Sequence, residues 1–225
     1  MLALPSPDPA LDAARGGPAS AEAVRRQYDR AAGGYDRRWA GYVGRTLDLL
    51  DAHARIGPGE RVLDVGCGTG TFARRLADRA PAQHVVGVDV SAGMLAQARR
   101  KAGPAPNVRF VEASAEALPF AAGAFDVVVS ASALHYADRP AAALAEAARV
   151  LRAGGRLVVL DWDRSRWTMA IMDAVLRAVD PAHKRTLTAC ELGRLLAGAG
   201  FASHSVRTFD RGVWRFAVAV AHTSP

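Results

Sequence analysis

Five short apolar runs, each closed by a polar residue or a glycine turn, constrain the fold of this chain more than any other feature. The runs occupy residues 61–65, 84–90, 108–113, 125–131 and 156–162. Apolar runs of this length are typical of strands that are buried on both faces. Stretches with helical spacing lie between them at residues 71–79, 91–101 and 139–152, the last stopped by Gly154 and Gly155. Alternating strands and helices predict a parallel sheet with right-handed crossovers.

Both ends of the chain extend this pattern. Residues 20–32 and 39–53 have the spacing of two helices that lead into the first strand. A capping box at Thr188 and Glu191 predicts another helix, and two weaker strands at 203–209 and 213–221 would form a final hairpin. We therefore expect a Rossmann-like, doubly wound, mostly parallel seven-stranded sheet with a C-terminal antiparallel hairpin and N-terminal helices. Residues 20–225 are expected to form one domain with cap helices at 20–55, after a disordered tail at 1–19.

Composition narrows the class of protein. The 225-residue chain carries a formal charge of +7, but its many arginines are scattered and only Lys101 and Lys184 are lysines. This pattern indicates a solvated surface with a coding bias rather than a nucleic-acid site. No run approaches the roughly 20 apolar residues of a membrane helix, and the N-terminus lacks the features of a signal peptide. Because Cys67 and Cys190 are isolated, we expect a reduced cytoplasmic protein without a disulfide framework or structural metal.

The stretch "RVLDVGCGTG" places glycines at alternate positions 66, 68 and 70 behind the first predicted strand. This spacing differs from the G-x-G-x-x-G pattern of nicotinamide dinucleotide sites. A glycine triplet can form a merely tight turn, or it can let a ligand lie against the backbone. Asp89, 19 residues after Gly70, ends the second predicted strand. A carboxylate at that place can accept hydrogen bonds from ribose hydroxyls, which favours the ligand-binding alternative.

Longer motifs carry a resemblance to a known family. "LDVGCGTG", "VVGVDVSAGMLAQAR", "FVEASAEALPF" and "FDVVVSASALHYADRPAAALAEAARVLRAGGRLVVLDW" together resemble class I S-adenosylmethionine-dependent methyltransferases, in the small-molecule branch that includes the quinone-biosynthesis C-methyltransferases. The resemblance spans roughly residues 28–162. It implies S-adenosyl-L-methionine as cofactor and O- or C-methylation of a small, partly apolar acceptor by in-line displacement. Orientation alone supplies roughly 7 to 11 kcal/mol in reactions of this kind.

The same resemblance implies roles for individual residues. The glycine turn should face the methionine portion and ribose, Asp89 the ribose hydroxyls, and Ser130 the methionine amino group. Tyr35 should close over the cofactor. The residues implied for cofactor binding are Tyr35, Asp64, Gly66, Cys67, Gly68, Asp89, Val90, Met94, Ser114, Ala115, Glu116 and Ser130. The chain departs from the family at Ser114, where an Asp is common, and at Ala153, where a Pro is usual.

The acceptor side rests on fewer signals. His135 follows the fourth predicted strand at the mouth of the crevice, and it is the candidate general base if the acceptor must lose a proton. A packed or surface histidine is the competing interpretation. Candidates for acceptor contact are Tyr28, Tyr136, Trp162 and Trp167, and residues 161–185 should help to wall the pocket. Aromatic residues at such spacing also occur in cores, so both readings stay open.

Three alternatives set the limits of this interpretation. A nicotinamide oxidoreductase is disfavoured by the glycine spacing. A nucleobase amino-methyltransferase would carry an Asn- or Asp-Pro-Pro-aromatic turn where this chain has "SASALHY", so we expect no DNA partner. A noncatalytic protein that binds S-adenosylmethionine remains the rival from another class. The sequence leaves the acceptor and the oligomeric state open.

Overall fold

The computed structural model describes residues 20–80, 84–180 and 182–225. Within those residues a single seven-stranded sheet has the order β3-β2-β1-β4-β5-β7-β6. Its strands are β1 (Arg61–Val65), β2 (His84–Asp89), β3 (Val108–Glu112), β4 (Phe125–Ala131), β5 (Leu151–Trp162), β6 (Ser203–Arg211) and β7 (Trp214–His222). The first five strands pair in parallel, whereas β7 pairs antiparallel with both β5 and β6. This arrangement confirms the predicted fold class.

Helices cover both faces of the sheet. The described residues form α1 (Ser20–Ala31), α2 (Tyr35–Ala54), α3 (Thr71–Arg79), α4 (Ala92–Ala102), α5 (Pro140–Val150), α6 (Trp167–Val179) and α7 (Ala189–Gly198). Neighbouring strand residues point to opposite faces, so Leu63 packs with α5 and α7 while Val62 packs with α2, α3 and α4. Burial of each such side chain contributes roughly 1.5 to 3 kcal/mol. The sheet is therefore a two-sided core, as its apolar runs predict.

Strand register brings the polar residues of the predicted site to one edge. Val65 lies opposite Val88 on β2 and Ser130 on β4, and Asp89 lies opposite Glu112 on β3. The carboxyl ends of these parallel strands therefore meet at the same edge. Ligands in open α/β sheets bind at such an edge where the strand order reverses, here between β1 and β4.

Several predicted boundaries were wrong. The helix expected at 139–152 ends at Val150, because the chain enters β5 at Leu151. Gly154 and Gly155 lie inside the β5 span rather than after the helix, near an irregularity in the β4–β5 pairing. The second N-terminal helix begins at Tyr35, earlier than expected, and α6 was not predicted as a helix. The tail expected at 1–19 lies outside the described residues, and the division into a tail and one domain stays a prediction.

None of the helices in the part of the chain that the structure describes combines the length and apolar content needed to cross a membrane.

Candidate functional site

A cleft opens at the carboxyl edge of β1, β2 and β4 and encloses about 1140 Å³, its open mouth included. It extends between the sheet and α5, where its wall is apolar: Val128, Ala143, Leu144, Ala147, Leu157 and Val159. Most of the predicted site residues line it. They are Tyr28, Tyr35, Gly66, Gly68, Asp89, Val90, Met94, Ser114, Ala115, Glu116, Ser130 and Tyr136. Residues from distant parts of the chain thus share one concave surface of the kind that holds small ligands.

Two glycines of the turn have different surroundings. The φ angles of Gly66 and Gly68 are +73° and +53°, a region that side chains rarely adopt. A Cβ at Gly66 would overlap the Cβ of Ala133 on the loop after β4, whereas a Cβ at Gly68 would meet no atom of the chain within 4 Å. Since Gly68 lines the cleft, that free space is part of the cleft. Gly66 is therefore required by the packing of the chain, and Gly68 leaves room for a ligand.

Asp89 is held in a fixed orientation at the cleft wall. The Gly68 amide donates to its Oδ2 at 2.8 Å, and the Ser91 amide donates to its Oδ1 at 2.9 Å. Burial raises the pKa of Asp89, although the amides of Ser91, Gly68 and Val90 counteract that rise. A carboxylate oxygen has more than one lone pair, so each can accept a further hydrogen bond from a ligand. This geometry suits a diol such as the ribose of a nucleoside.

Asp64 and Cys67 lie behind the turn rather than in the cleft. Asp64 is 4% exposed, and burial, with the nearby charge of Asp89, raises its pKa to about 7. The Cys67 thiol packs against Gly87 of β2, where a Cβ would come within 2.8 Å of its sulfur. Burial raises the pKa of that thiol. Neither residue lines the cleft, so the contact of these two side chains with the cofactor stays a prediction.

The N-terminal helices cover the cleft mouth. Tyr28 of α1 contacts Tyr35 of α2 and Tyr136, with ring centroids 6.0 and 5.4 Å apart. Asp29 anchors α1 on α4, because its Oδ1 accepts hydrogen bonds from the Ser91 hydroxyl at 2.6 Å and the Gly93 amide at 2.8 Å. Burial, with smaller contributions from nearby acidic groups, raises the pKa of Tyr35 to about 12. The cover is thus aromatic and uncharged near neutral pH.

A polar cluster behind the glycine turn was not predicted from the sequence. Lys101 on α4 donates to Asp36 at 2.7 Å, Thr69 at 2.9 Å and Thr71 at 3.0 Å, and the Thr69 hydroxyl donates to Asp36 at 2.6 Å. Burial alone would raise the pKa of Asp36, but the hydrogen bonds from Lys101 and Thr69 lower it. The cluster ties the start of α2, and so Tyr35, to the glycine turn. The compact ammonium of lysine has three donors, which suits it to bind three neighbouring oxygens. The rarity of lysine in this arginine-rich chain is the feature of the sequence that could have pointed to the cluster.

The third predicted strand is followed by a tight turn that lines the cleft. The Ser114 hydroxyl accepts a hydrogen bond from the Glu116 amide at 3.2 Å. The Glu116 carboxylate accepts from the Arg139 amide and guanidinium, each at 2.9 Å. The Ser114 hydroxyl thus stabilises the turn itself. Arg139, at the start of α5, holds the Glu116 carboxylate in place.

His135 lies beside the cleft, in a short 3-10 turn at Leu134–Tyr136. Leu134 and Tyr136 line the cleft on either side of it, but His135 itself does not and is 3% exposed. Its Nδ1 lies 2.6 Å from Asp161 Oδ1, and its ring stacks on Trp162 at 4.5 Å. An acidic partner at Nδ1 favours the tautomer with the proton there. Nε2 is buried and has no hydrogen-bond partner.

The remaining acceptor candidates separate into two groups. Trp162 does not line the cleft but donates to Tyr42 Oη at 2.8 Å, and Tyr42 shares a 2.7 Å hydrogen bond with Ser132. Ser132 lines the cleft with φ +54°, a strained conformation for serine, and neither Tyr42 nor Ser132 was predicted. Trp167 is 71% exposed on the outer face of α6 and does not line the cleft, so its contact with an acceptor stays a prediction. The expected pocket wall at 161–185 is largely a surface helix and its connections.

Comparisons with known proteins agree on one family. A family model described as a methyltransferase domain matches residues 63–159. The chain is 41% identical over 148 residues to a demethylmenaquinone methyltransferase of Beutenbergia cavernae, covering 64% of this chain and 57% of that protein. It is 36% identical over 196 residues to a malonyl-[acyl-carrier protein] O-methyltransferase of Geobacter sulfurreducens, covering 83% of this chain and 72% of that protein.

Solved structures share the fold. A SAM-dependent methyltransferase from Thermotoga maritima superposes with a TM-score of 0.69 at 26% identity, covering 89% of this chain and 99% of that one. The chain spans about half the length of several curated relatives that it matches, 57% and 56% of two demethylmenaquinone methyltransferases and 48% of a ubiquinone/menaquinone C-methyltransferase. These findings confirm the resemblance seen in the motifs.

Proposed function

Because the chain belongs to the S-adenosylmethionine-dependent methyltransferases, we propose that it transfers a methyl group from this cofactor to a small, partly apolar acceptor. When bound, the cofactor supplies a sulfonium methyl that is open to in-line displacement. The observation that carries the proposal is the pairing of Asp89, fixed by two backbone amides, with the open space over Gly68. A dinucleotide site would need a different glycine spacing.

The chain's own residues fit the nucleoside and the amino acid portions of this cofactor. Asp89 would accept hydrogen bonds from the ribose hydroxyls, and the backbone at Gly66 and Gly68 would hold the methionine portion. Val90 and Met94 would hold the adenine together with the turn at 114–116, and Ser130 would bind the methionine amino group. Asp64 acts from behind the turn, where its negative charge favours the cationic cofactor. Tyr35 and Tyr28 exclude water from the covered cleft.

The acceptor side of the cleft supports an apolar substrate. The wall between the sheet and α5 consists of aliphatic side chains, while Ser130, Ser132 and Tyr136 offer polar groups at the end of β4. Such a surface suits a ring or chain that carries one hydroxyl, enol or carboxyl group. Among the relatives, the demethylmenaquinone methyltransferase is named for a ring acceptor, and the malonyl-[acyl-carrier protein] O-methyltransferase is named for an acceptor with a carboxyl group. Orientation against the sulfonium is the main demand of the reaction, worth roughly 7 to 11 kcal/mol.

His135 is the candidate general base for an acceptor that must lose a proton. Asp161 orients the ring through Nδ1, which leaves Nε2 as the proton acceptor. Nε2 is buried without a hydrogen-bond partner, and the residues before and after His135 in the chain both line the cleft. A base of this kind adds on the order of 10² to 10⁴ in rate.

A screen of acceptors tests the proposal. Purified protein and S-adenosylmethionine are incubated with reduced quinones, phenols, lipids, polyketide-like compounds and carboxylic thioesters, and release of S-adenosylhomocysteine is measured. We expect turnover with at least one apolar acceptor. Cofactor binding by calorimetry without turnover on any class would instead favour the noncatalytic binding protein. Absence of cofactor binding would contradict the assignment of the cleft.

A further inference from the structure

The outward face of α6 is apolar. Its side chains Trp167, Ile171, Val175 and Val179 recur every four residues and are 71%, 56%, 50% and 69% exposed. Ala170, Ala174 and Ala178 occupy other exposed positions of the helix. All residues of α6 are described, and Arg177 is its one exposed charged residue. A stripe of this kind runs the length of the helix, so it is larger than the scattered apolar residues that surfaces normally carry.

The inward face of the same helix is partly polar. Asp173 is 3% exposed and accepts hydrogen bonds from the Thr186 amide at 2.7 Å and from His183 Nε2 at 2.9 Å. An ordinary surface helix turns its apolar stripe to the core and its charges to solvent. In α6 the Asp173 carboxylate faces inward together with Met169, and four other large apolar side chains face outward. The polarity of the helix thus indicates that its outer face meets an apolar environment.

The apolar face continues onto neighbouring elements. The Thr168 hydroxyl donates to the Val213 carbonyl at 3.2 Å, so the β6–β7 turn adjoins the start of α6. A chain of ring contacts, Trp214 to Tyr42 and Tyr42 to Trp39, each 6.0 Å between centroids, leads from that turn to α2. We define the α6 surface by its exposed large apolar side chains, Trp39, Trp167, Ile171, Val175, Val179 and Val213. Among the described residues these six are the exposed large apolar side chains.

Arginines border the α6 surface. The Arg38 guanidinium lies 5.7 Å from the ring centroid of Trp39. At the hairpin end, Arg166 and Arg215 both lie 3.3 Å from carboxylate oxygens of Asp210, and Arg211 follows it. These four arginines outnumber their partners Asp210 and Asp163, so the border carries a net positive charge that complements an anionic surface. Tryptophan beside arginine, around an apolar stripe, is the composition of surfaces that lie in the headgroup region of a bilayer.

We propose that the α6 surface docks on a bilayer that contains anionic phospholipid. The apolar side chains enter the boundary between headgroups and acyl chains, and the arginines contact the lipid phosphates. Asp180, next to Val179, accepts a hydrogen bond from Gln27 of α1 at 3.1 Å, and α1 contributes Val24 and Tyr28 to the cleft. Docking therefore brings the cover of the cleft beside the bilayer. If the proposed function holds, an apolar acceptor reaches the cleft directly from the lipid.

Vesicle binding tests the proposal without cofactor or acceptor, so its outcome is independent of methyl transfer. Sedimentation is measured with phosphatidylcholine vesicles and with vesicles that also contain phosphatidylglycerol. We expect the wild type to bind the anionic vesicles about tenfold more tightly, with a loss at high salt. Ile171→Asp/Val175→Asp should weaken that binding by about tenfold or more, since charges in an apolar face oppose insertion. Thermal unfolding verifies that the variant is folded.

A matched control carries the same two charges elsewhere. Ala96 on α4 and Ala145 on α5 are exposed helical positions away from the α6 surface. Ala96→Asp/Ala145→Asp should bind within about twofold of the wild type, because only net charge changes. The wild type should also show a blue shift of tryptophan emission on anionic vesicles, and Trp167→Phe should reduce it.

Three results would overturn the proposal. The first is a folded wild type that binds neither kind of vesicle. The second is that the two double variants weaken vesicle binding equally, because the effect would then come from overall charge alone. The third is a wild-type dimer that Ile171→Asp/Val175→Asp converts to a monomer, without vesicle binding, which would make the surface an interface between two copies.

Discussion

Gly68 and Gly59 allow the ligand role of the glycine turn to be separated from its backbone strain. Both have positive φ, +53° and +77°, and a Cβ at either would meet no atom of the chain within 4 Å. Gly68 lines the cleft, whereas Gly59 lies in an exposed turn before β1. We predict that Gly68→Ala and Gly59→Ala each lose about 1 kcal/mol of stability, but that only Gly68→Ala loses cofactor affinity, by about tenfold or more.

Calorimetry with S-adenosylhomocysteine and thermal unfolding measure the two effects. Equal affinity in both variants would mean that the turn is structural only. Gly66 is unsuitable for this test, because a side chain there would also displace Ala133.

We predict that ionised Asp64 lowers the free energy of unfolding of the protein without cofactor. Its pKa of about 7, raised by burial and by Asp89, means that the folded state binds more protons than the unfolded state between about pH 4 and about pH 7. The free energy of unfolding therefore falls as the pH rises through that window. Asp64→Asn should be more stable than the wild type by up to roughly 4 kcal/mol at about pH 8, with little difference at about pH 4.

Urea unfolding at the two pH values measures this difference. Asp78→Asn, at a side chain 69% exposed on α3, is the matched control for the loss of a carboxylate. The same Asp64→Asn protein should bind the cationic cofactor more weakly, since it lacks the negative charge. A variant with unchanged stability at both pH values would contradict the raised pKa.

His135 should affect turnover rather than cofactor binding. His135→Ala removes the proposed base but no residue that lines the cleft, so S-adenosylmethionine affinity should stay within about twofold and turnover should fall by about 10² or more. The loss should be confined to acceptors that shed a proton, and a phenolate formed at high pH should partly restore it. Because the ring stacks on Trp162, His135→Gln tests whether lost packing explains the result. Near wild-type turnover would leave positioning as the main source of rate.

At the scale of elements, α1 should control the escape of the cofactor. A 12-residue helix is marginally stable alone, so its position depends on the hydrogen bonds that Asp29 accepts from Ser91 and Gly93 at the start of α4, and on the one that Gln27 donates to Asp180. Asp29→Ala should raise the dissociation rate of S-adenosylhomocysteine by about tenfold and change association little. Asp48→Ala removes an exposed ion pair of α2 with Arg75 and is the control. Equal dissociation rates in stopped-flow measurements would show that α1 is not a cover.

Elements with a clear period were predicted well, and α6 shows why others were not. Helix α3 has the predicted bounds at Thr71–Arg79, and the predicted capping box of α7 is present at Thr188 and Glu191. In α6 the exposed face is apolar and a carboxylate is buried, so the polarity of "WTMAIMDAVLRAV" does not mark the face that packs on the protein. The sequence therefore suggested a pocket wall. The contacts of Lys101 and Tyr42 join residues 30 to 120 positions apart, which no local pattern could predict.

At the scale of the whole molecule, the doubly wound parallel sheet was accessible to sequence reasoning because parallel strands with helical crossovers permit few topologies. The carboxyl-edge site followed from that fold class together with the glycines and Asp89. Side-chain orientation around the site was not accessible in the same way. His135 and Trp162 turned out to pack on each other, because the Asp161 carboxylate draws the histidine inward and away from the cleft.

Binding at the cleft should stabilise the entire fold, because the sheet edge, α1, α2 and α4 all contribute to it. A ligand at one hundred times its dissociation constant adds about 2.7 kcal/mol to the free energy of unfolding. For a chain of this length, each kcal/mol raises Tm by about 2 to 4 °C, so S-adenosylhomocysteine should raise Tm by about 5 to 10 °C. Asp89→Ala should lose most of that shift at the same ligand concentration, since the ribose hydroxyls lose their acceptor. NAD, which shares an adenosine but needs another glycine spacing, should give little shift. An equal rise with NAD, or an undiminished rise in Asp89→Ala, would show that the cleft recognises something other than the proposed cofactor.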